Sequence, residues 1–394
     1  MKTFNEKALY TYKFIGECLP IYAFYTILFL DRGKTVSDIA ILIALWSLFS
    51  IAFDIPAGIL ADRWNRRNML AVASILQGIC FVIWFFSHTF FMFAIGFLFW
   101  AIAGAFTSGT EESLIYDNLK SDGNEDSFTK IYGNSQFFAT IGALVGIAKA
   151  GLIAIFISIE AIALISAVIC FVNVIFALQI RERNFYLTRK HKESTGVFDT
   201  FKNAIFFVKG SGFAIVTILF MVLFASLGLY LDEFDALIAN NWDISELWVS
   251  GILFVRFAFV ALGDIIAPII EKKISSIRQI FLINVLACIM LTIFALIWNW
   301  YAILLFGISF MLMTVSQILL VNILQNEIKE EGRATVMSFF SVGQNIAMII
   351  LSLIFALLAS IFTLQQVYII ISIYGIVGSL VFCLLFIKIR TKRA

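Results

Sequence analysis

Residues 54–70 read D-I-P-A-G-I-L-A-D-R-W-N-R-R-N-M-L. Apolar sequence runs into this stretch and out of it, yet Asp62, Arg63, Arg66 and Arg67 crowd together at its centre. A short loop joining two helices has no room for accidental charge. An acid at Asp62 can accept hydrogen bonds from a helix N-terminus, where the peptide dipoles favour an anion. The guanidinium groups can pair with carboxylates on neighbouring helices.

The apolar flanks are typical of the whole chain. Of 394 residues, 61% are hydrophobic and 14% charged, with 43 Phe and only 3 Pro. Average soluble domains carry roughly 25% charge. A water-soluble fold of this size cannot hide that much apolar surface, which excludes a soluble enzyme, a nucleic-acid-binding domain and a disordered scaffold. The reading is an all-α membrane protein. Cys18, Cys80, Cys170, Cys288 and Cys383 each stand alone in an apolar run, so neither a disulfide framework nor a metal-ligand spacing exists. Lys13 and Glu17 interrupt the first apolar stretch and no small-residue cleavage site follows; it reads as a first span, not a cleaved signal.

A helix needs about 20 apolar residues to cross the hydrocarbon core. Twelve runs qualify, near 8–30, 38–60, 69–87, 90–119, 131–155, 158–180, 212–236, 246–270, 279–298, 301–325, 334–358 and 366–388. With the N-terminus in the cytoplasm, the inner segments hold all the Lys and Arg residues except Arg32, Lys34 and Lys149 outside and Arg256 within span 8. That bias predicts cytoplasmic N- and C-termini. Trp242, Trp248, Trp298 and Trp300 then fall at the outer interface, as an aromatic belt.

Residues 181–211 form the one long polar stretch between spans and divide the chain into an N-terminal six-helix bundle, 1–180, and a C-terminal one, 212–394. Within it Phe198, Phe201, Ile205 and Val208 recur at helical spacing, which predicts an amphipathic helix on the inner membrane surface or an ordinary linker helix. The halves carry a faint repeat. Asp54 and Pro56 in span 2 have counterparts in Asp264 and Pro268 of span 8, and Arg66 and Arg67 are echoed by Lys272, Lys273 and Arg278. Repeated halves with a site at mid-membrane are a common plan for secondary transporters.

The loop quoted first resembles that between spans 2 and 3 of the major facilitator superfamily: Gly, three residues, Asp, Arg or Lys, one residue, Gly, Arg, Arg or Lys. Gly58, Asp62, Arg63, Arg66 and Arg67 match, and Asn65 stands where the second Gly is usual. Asn tolerates left-handed backbone better than other non-glycine residues. The stretch S-G-T-E-E-S-L-I-Y-D-N-L-K at Ser108–Lys120 is similar to span 4 of a bacterial branch, and R-A-T-V-M-S at Arg333–Ser338 to the start of span 11. The resemblance implies twelve transmembrane helices in two pseudo-repeated six-helix bundles that rock about a central site. It also implies that the loop cluster locks the cytoplasmic ends in the outward-facing state, with Asp117 as acceptor on span 4 and Arg333 near the start of span 11.

An ionised side chain at mid-bilayer costs roughly 2.5–3.5 kcal/mol on insertion scales, so each calls for a partner, a wet cavity or a proton. Glu17, with Tyr22 and Tyr25 beyond Pro20, is expected to face a cavity from span 1. Glu111 and Glu112 on span 4 point about 100° apart, so one is expected to line the path and the other to pair elsewhere. Desolvation favours the neutral form of a carboxyl, which a proton carrier needs. Arg256 stays charged at any accessible pH and needs an acid, from span 7 or from Glu17 or Glu111. Asp232 and Asp235 share a face near the outer end of span 7 and read as a solvated rim. Gln136, Gln317, Gln344 and Asn345, with Asn134 and Asn322, are cavity candidates or packing glue. Gly142 and Gly146 fit close helix packing.

No G-x-x-x-x-G-K-[ST] occurs, so ATP hydrolysis is not expected. His88 and His191 lie outside the predicted spans, which leaves proton coupling to carboxylates. No catalytic residues, cofactor, metal or nucleic-acid partner are expected. The partners are the lipid bilayer, a small-molecule substrate and protons, and the chain is expected to be a monomer in a bacterial plasma membrane. Aromatic walls and a few buried acids favour proton-coupled export of apolar or cationic compounds. Drug-exporting relatives usually carry an Arg in span 4 and a Gly-Pro pair in span 5, and both are missing here. Uptake of a sugar, amino acid or organic anion, with Arg256 holding an anionic group, is the alternative; a non-transporting sensor or embedded enzyme is a third.

Overall fold

The computed structural model describes residues 5–124, 127–182, 212–225, 227–242, 244–274, 276–327 and 330–391. Among these residues, 12 helices are long and apolar enough to cross a membrane, from Glu6–Asp31 to Leu364–Phe386. They coincide with the twelve predicted spans. Span 11, expected at 334–358, falls within the helix Glu330–Ile361. The predicted amphipathic segment around 198–208 lies outside the described residues.

The chain divides into two units, Met1–Ser194 with Ser245–Gly251, and Thr195–Ile244 with Ile252–Ala394. The two units pack their helices in matching pairs. In the first, span 3 lies against spans 4 and 6. In the second, span 9 lies against spans 10 and 12. Even the polar fastening is repeated. Asn173 of span 6 donates to Ser74 of span 3 at 3.5 Å, and Asn284 of span 9 donates to Ser379 of span 12 at 2.8 Å. The Asn and the Ser have traded places between the halves. Such bonds contribute about 0.6 kcal/mol each in a membrane interior.

Helix ends follow local chemistry. Thr35 and Asp38 form a capping box at the start of span 2. Asn65 caps span 3 by accepting from the Asn68 N–H at 3.3 Å. Its φ is −70°, so the loop makes no left-handed demand at this position, contrary to the expectation drawn from the missing Gly. Asn serves here as an N-cap instead.

Among the described residues, three spans are interrupted. Span 1 is helical over Glu6–Glu17, tightens to a 3-10 turn at Pro20–Ala23 and resumes over Tyr25–Asp31. Pro20 has no N–H to continue the ladder, and it forces Leu19 into extended backbone. Span 4 breaks between Phe90–Thr107 and Thr110–Asp122 at Gly109, whose φ of 67° suits only a residue without Cβ. Span 7 is broken by a π segment at Met221–Ala225 and a 3-10 turn at Asp232–Phe234. Irregular backbone at membrane depth persists only where it is buried in protein or lines a cavity.

Candidate functional site

The breaks in spans 1 and 4 meet at a cavity of about 400 Å³ in the first unit. Glu17 lines it from the end of the first helix of span 1 and Tyr22 from the 3-10 turn that follows, and Ser108, Gly109, Glu111 and Glu112 line it from the span 4 break. Glu111 and Glu112 occupy the first turn of Thr110–Asp122, where the helix dipole favours acids. Trp100, Gln77 and Tyr132 complete the principal walls. The Tyr22 ring stacks on Trp100 with centroids 5.6 Å apart, and the Tyr22 hydroxyl accepts a hydrogen bond from the Gln77 amide at 2.8 Å.

The two glutamates are held differently. Glu111 is buried, pairs with Lys13 Nζ at 2.8 Å and accepts from the Ser135 hydroxyl at 3.1 Å. Glu112 is exposed and accepts from the Tyr132 hydroxyl at 2.8 Å. The lining therefore carries three carboxylates and no base, with Lys13 reaching one of them from span 1. Span 1 can come this close to span 5 because Gly142 and Gly146 face its backbone; a Cβ at either would collide with Phe14 or Cys18.

At the loop between spans 2 and 3, Arg66 Nη1 pairs with Asp117 Oδ2 at 2.6 Å. The Arg66 and Arg67 backbone N–H groups donate to the two Glu182 carboxylate oxygens at 3.0 and 2.9 Å. In the second unit, Arg256 donates from Nε to Asp235 Oδ2 at 2.5 Å and stands 3.8 Å from Asp232 Oδ2. Its guanidinium lies over the Phe257 ring, 3.9 Å from the centroid, and 5.1 Å from that of Phe310.

The model of the Major Facilitator Superfamily matches residues 14–335. The chain belongs to that superfamily. A stretch of 69 residues is 35% identical to YfkF of Bacillus subtilis (strain 168), an uncharacterized MFS-type transporter, and covers 18% of this chain and 16% of that relative. Solved structures share the fold at low identity. The nucleoside transporter NupG matches with a TM-score of 0.79 at 16% identity, over 97% of this chain and 98% of that one. A D-xylose-proton symporter matches with 0.70 at 11% identity, over 96% and 94%. The chain is a multi-pass membrane transporter of twelve helices.

Several expectations meet their geometry in this superfamily member. Arg66 pairs with Asp117, and Arg256 takes its acid from span 7. Glu17, Tyr22, Glu111 and Glu112 share one cavity. Because Glu111 both lines it and pairs with Lys13, the division of roles expected for adjacent glutamates is incomplete.

Other expectations need correction. Tyr25 does not line the cavity: it is buried, stacked on Trp84 at 5.5 Å within an aromatic cluster. Asp235 is no solvated rim residue, being 2% exposed because Arg256 reaches it. Arg256 is not the one base within a span, since Lys13 lies inside span 1. Lys149 lies near the end of the Lys130–Ala154 span, the end expected to face outside. Gln136, Gln317, Gln344 and Asn345 are half-buried; Gln136 belongs to the unit that holds the cavity without being in its lining, and the other three lie in the second unit. Asn134 donates to the Tyr10 hydroxyl at 3.4 Å, and Asn322 to Glu271 at 3.4 Å. Gly58 has open space around it. The side chains of Asp62, Arg63 and Arg333 lie outside the described residues, and the helix-capping acid at Arg66 is Glu182.

Sequence reasoning missed Lys13, Gln77, Trp100 and Glu182. Lys13 had a signal: it stands four residues before Glu17 on the same helical face, inside an apolar run. The others had none: Gln77 and Trp100 are single polar or aromatic residues within apolar spans, and Glu182 is one of several charges that follow span 6.

Proposed function

We propose that this transporter exports small, largely apolar organic cations in exchange for protons, and that they bind in the cavity between the broken spans 1 and 4. The observation that carries the reading is the lining: Glu17, Glu111 and Glu112 beside Tyr22, Trp100 and Tyr132, with Lys13 neutralising one acid. Aromatic faces attract cations through their quadrupole, by about 2 kcal/mol when desolvated. Carboxylates left over from the ion pair can hold either the ligand's charge or a proton, and that competition couples the two fluxes. The Arg66–Asp117 pair and the Glu182 cap act as a latch at the inner ends of spans 3, 4 and 6. Both termini lie in the cytoplasm, by the distribution of Lys and Arg, and the transporter works as a monomer in a bacterial plasma membrane.

Proteoliposomes with an imposed pH gradient test this. A panel of lipophilic quaternary ammonium ions, which have no dissociable proton and so do not concentrate passively in acid vesicles, should accumulate in proteoliposomes that are acid inside, and Glu17→Gln or Glu112→Gln should abolish the dependence on the gradient. No accumulation in either direction, or full coupling in both variants, refutes the proposal.

A second reading is uptake of a polar nutrient with protons. It is favoured by the Tyr22 hydroxyl and Gln77 amide set against the Trp100 face, a pattern that suits a hydroxylated ring. Relatives in fold include a nucleoside transporter and a D-xylose-proton symporter. This reading requires accumulation in vesicles that are alkaline inside.

A further inference from the structure

The second unit holds a buried charge cluster that the cavity does not use. Arg256, Asp235 and Asp232 have side chains 4%, 1% and 27% exposed. Two carboxylates thus face one guanidinium, which cannot give up its proton. A buried excess charge is costly unless it is neutralised. Moreover, among the described residues the buried Asp235 Oδ1 finds no hydrogen-bond partner, whereas the Asp232 carboxyl is met by the backbone N–H groups of its own turn.

Among the described residues, Arg256 is the base paired with Asp232 and Asp235. Phe257 and Phe310 cover the guanidinium. Glu233 adjoins on the same turn and adds a further acid. Tyr230 belongs to the preceding helix, Leu227–Leu231. Tyr368 of span 12 spends its hydroxyl on the Leu231 carbonyl at 3.1 Å.

The cluster also sits on irregular backbone. The 3-10 turn Asp232–Phe234 in span 7 falls about 210 residues after the turn Pro20–Ala23 in span 1, the spacing that relates the two halves. In span 1 that turn borders the cavity. Interrupted segments at corresponding positions of two repeats mark ion and substrate sites in transporters.

We infer that Asp232, Asp235 and Arg256 form a proton-binding site of the C-terminal half, separate from the cavity of the N-terminal half. A carboxylate takes a proton from hydronium and releases water; no other bond changes. Asp232 is the partly exposed member and exchanges with water, while Asp235 stays sealed against Arg256. Sodium is the competing occupant, because unwound backbone carbonyls can add to carboxylate ligands; the titration below separates it from a proton. That the proton drives transport rests on the function proposed above; its binding does not, and is measured without flux.

The test is infrared titration of the purified full-length protein in detergent, following the carbonyl stretch of protonated carboxyl groups against pH. Wild type is compared with Asp232→Asn, Asp235→Asn and Glu17→Gln. Asp232→Asn keeps the Arg256–Asp235 bond, leaves one acid against one base, and is the variant that folds if Asp235→Asn does not. It should lose one carboxyl's worth of the titrating band, and Glu17→Gln should retain that component. A band unchanged in Asp232→Asn overturns the site. So does its displacement by sodium chloride, but not potassium chloride, at equal ionic strength. Absence of transport with the band behaving as expected would sink the proposed function and leave the site standing.

Discussion

Replacing Lys13 by Met should destabilise the N-terminal bundle far more than the loss of one surface-like lysine would. The Lys13 and Glu111 side chains are 12% and 6% exposed and meet at 2.8 Å. Removing one partner of a buried pair typically costs about 3–5 kcal/mol, because the other charge is left desolvated and alone. Here the Ser135 hydroxyl still donates to Glu111 at 3.1 Å and the carboxyl borders a cavity. The lower end, about 3 kcal/mol, is therefore expected, roughly a hundredfold in the unfolding equilibrium. Lys13→Met combined with Glu111→Gln replaces the pair by two neutral side chains and should return to within about 1.5 kcal/mol of wild type. Unfolding in mixed micelles titrated with sodium dodecyl sulfate measures all four corners of the cycle. Additive single effects, each below about 0.5 kcal/mol, would refute the claim that a buried pair joins spans 1 and 4.

Three further outcomes follow from other contacts. Glu182→Ala strips the acceptor from the Arg66 and Arg67 N–H groups and should cost about 0.5–2 kcal/mol, read as faster hydrogen exchange at the start of span 3 by mass spectrometry. Gly142→Ala drives a Cβ into the Phe14 carbonyl, whereas Gly133→Ala on the same helix meets nothing; the first should lower thermal stability in detergent, by about 1–3 kcal/mol, and the second should raise it slightly. Trp100→Ala should weaken binding of a lipophilic amine about tenfold, by loss of a cation–π face, while Tyr22→Phe should leave it nearly unchanged. Calorimetric titration checks the pair, and the opposite order would favour the hydroxylated-ring reading.

The fold was largely readable from the chain. Span number depends on one quantity, apolar length against bilayer thickness, and all twelve stretches were visible. The loop at 58–67 pointed to the superfamily through the resemblance of Gly58, Asp62, Arg63, Arg66 and Arg67 to its motif. Asp117 as the acceptor was implied by that resemblance, and Arg66 is the residue that pairs with it. The roles of the Gln and Asn candidates were not legible: an amide in a span is as readily glue as ligand, and spacing alone cannot separate the two.

What the sequence by itself determined is therefore the list of costly groups: Glu17, Glu111, Glu112 and Arg256 had to find partners, because oil cannot solvate them. Which partners they found was decided only in three dimensions. Lys13 looked like a flank lysine until the glycines of span 5 let span 1 approach and the Gly109 break aimed Glu111 at it. Asp235 looked like a rim acid until Arg256, reaching it from span 8, sealed it away from water. Hydropathy is a property of one segment, whereas an ion pair between helices depends on the rotation and depth of both.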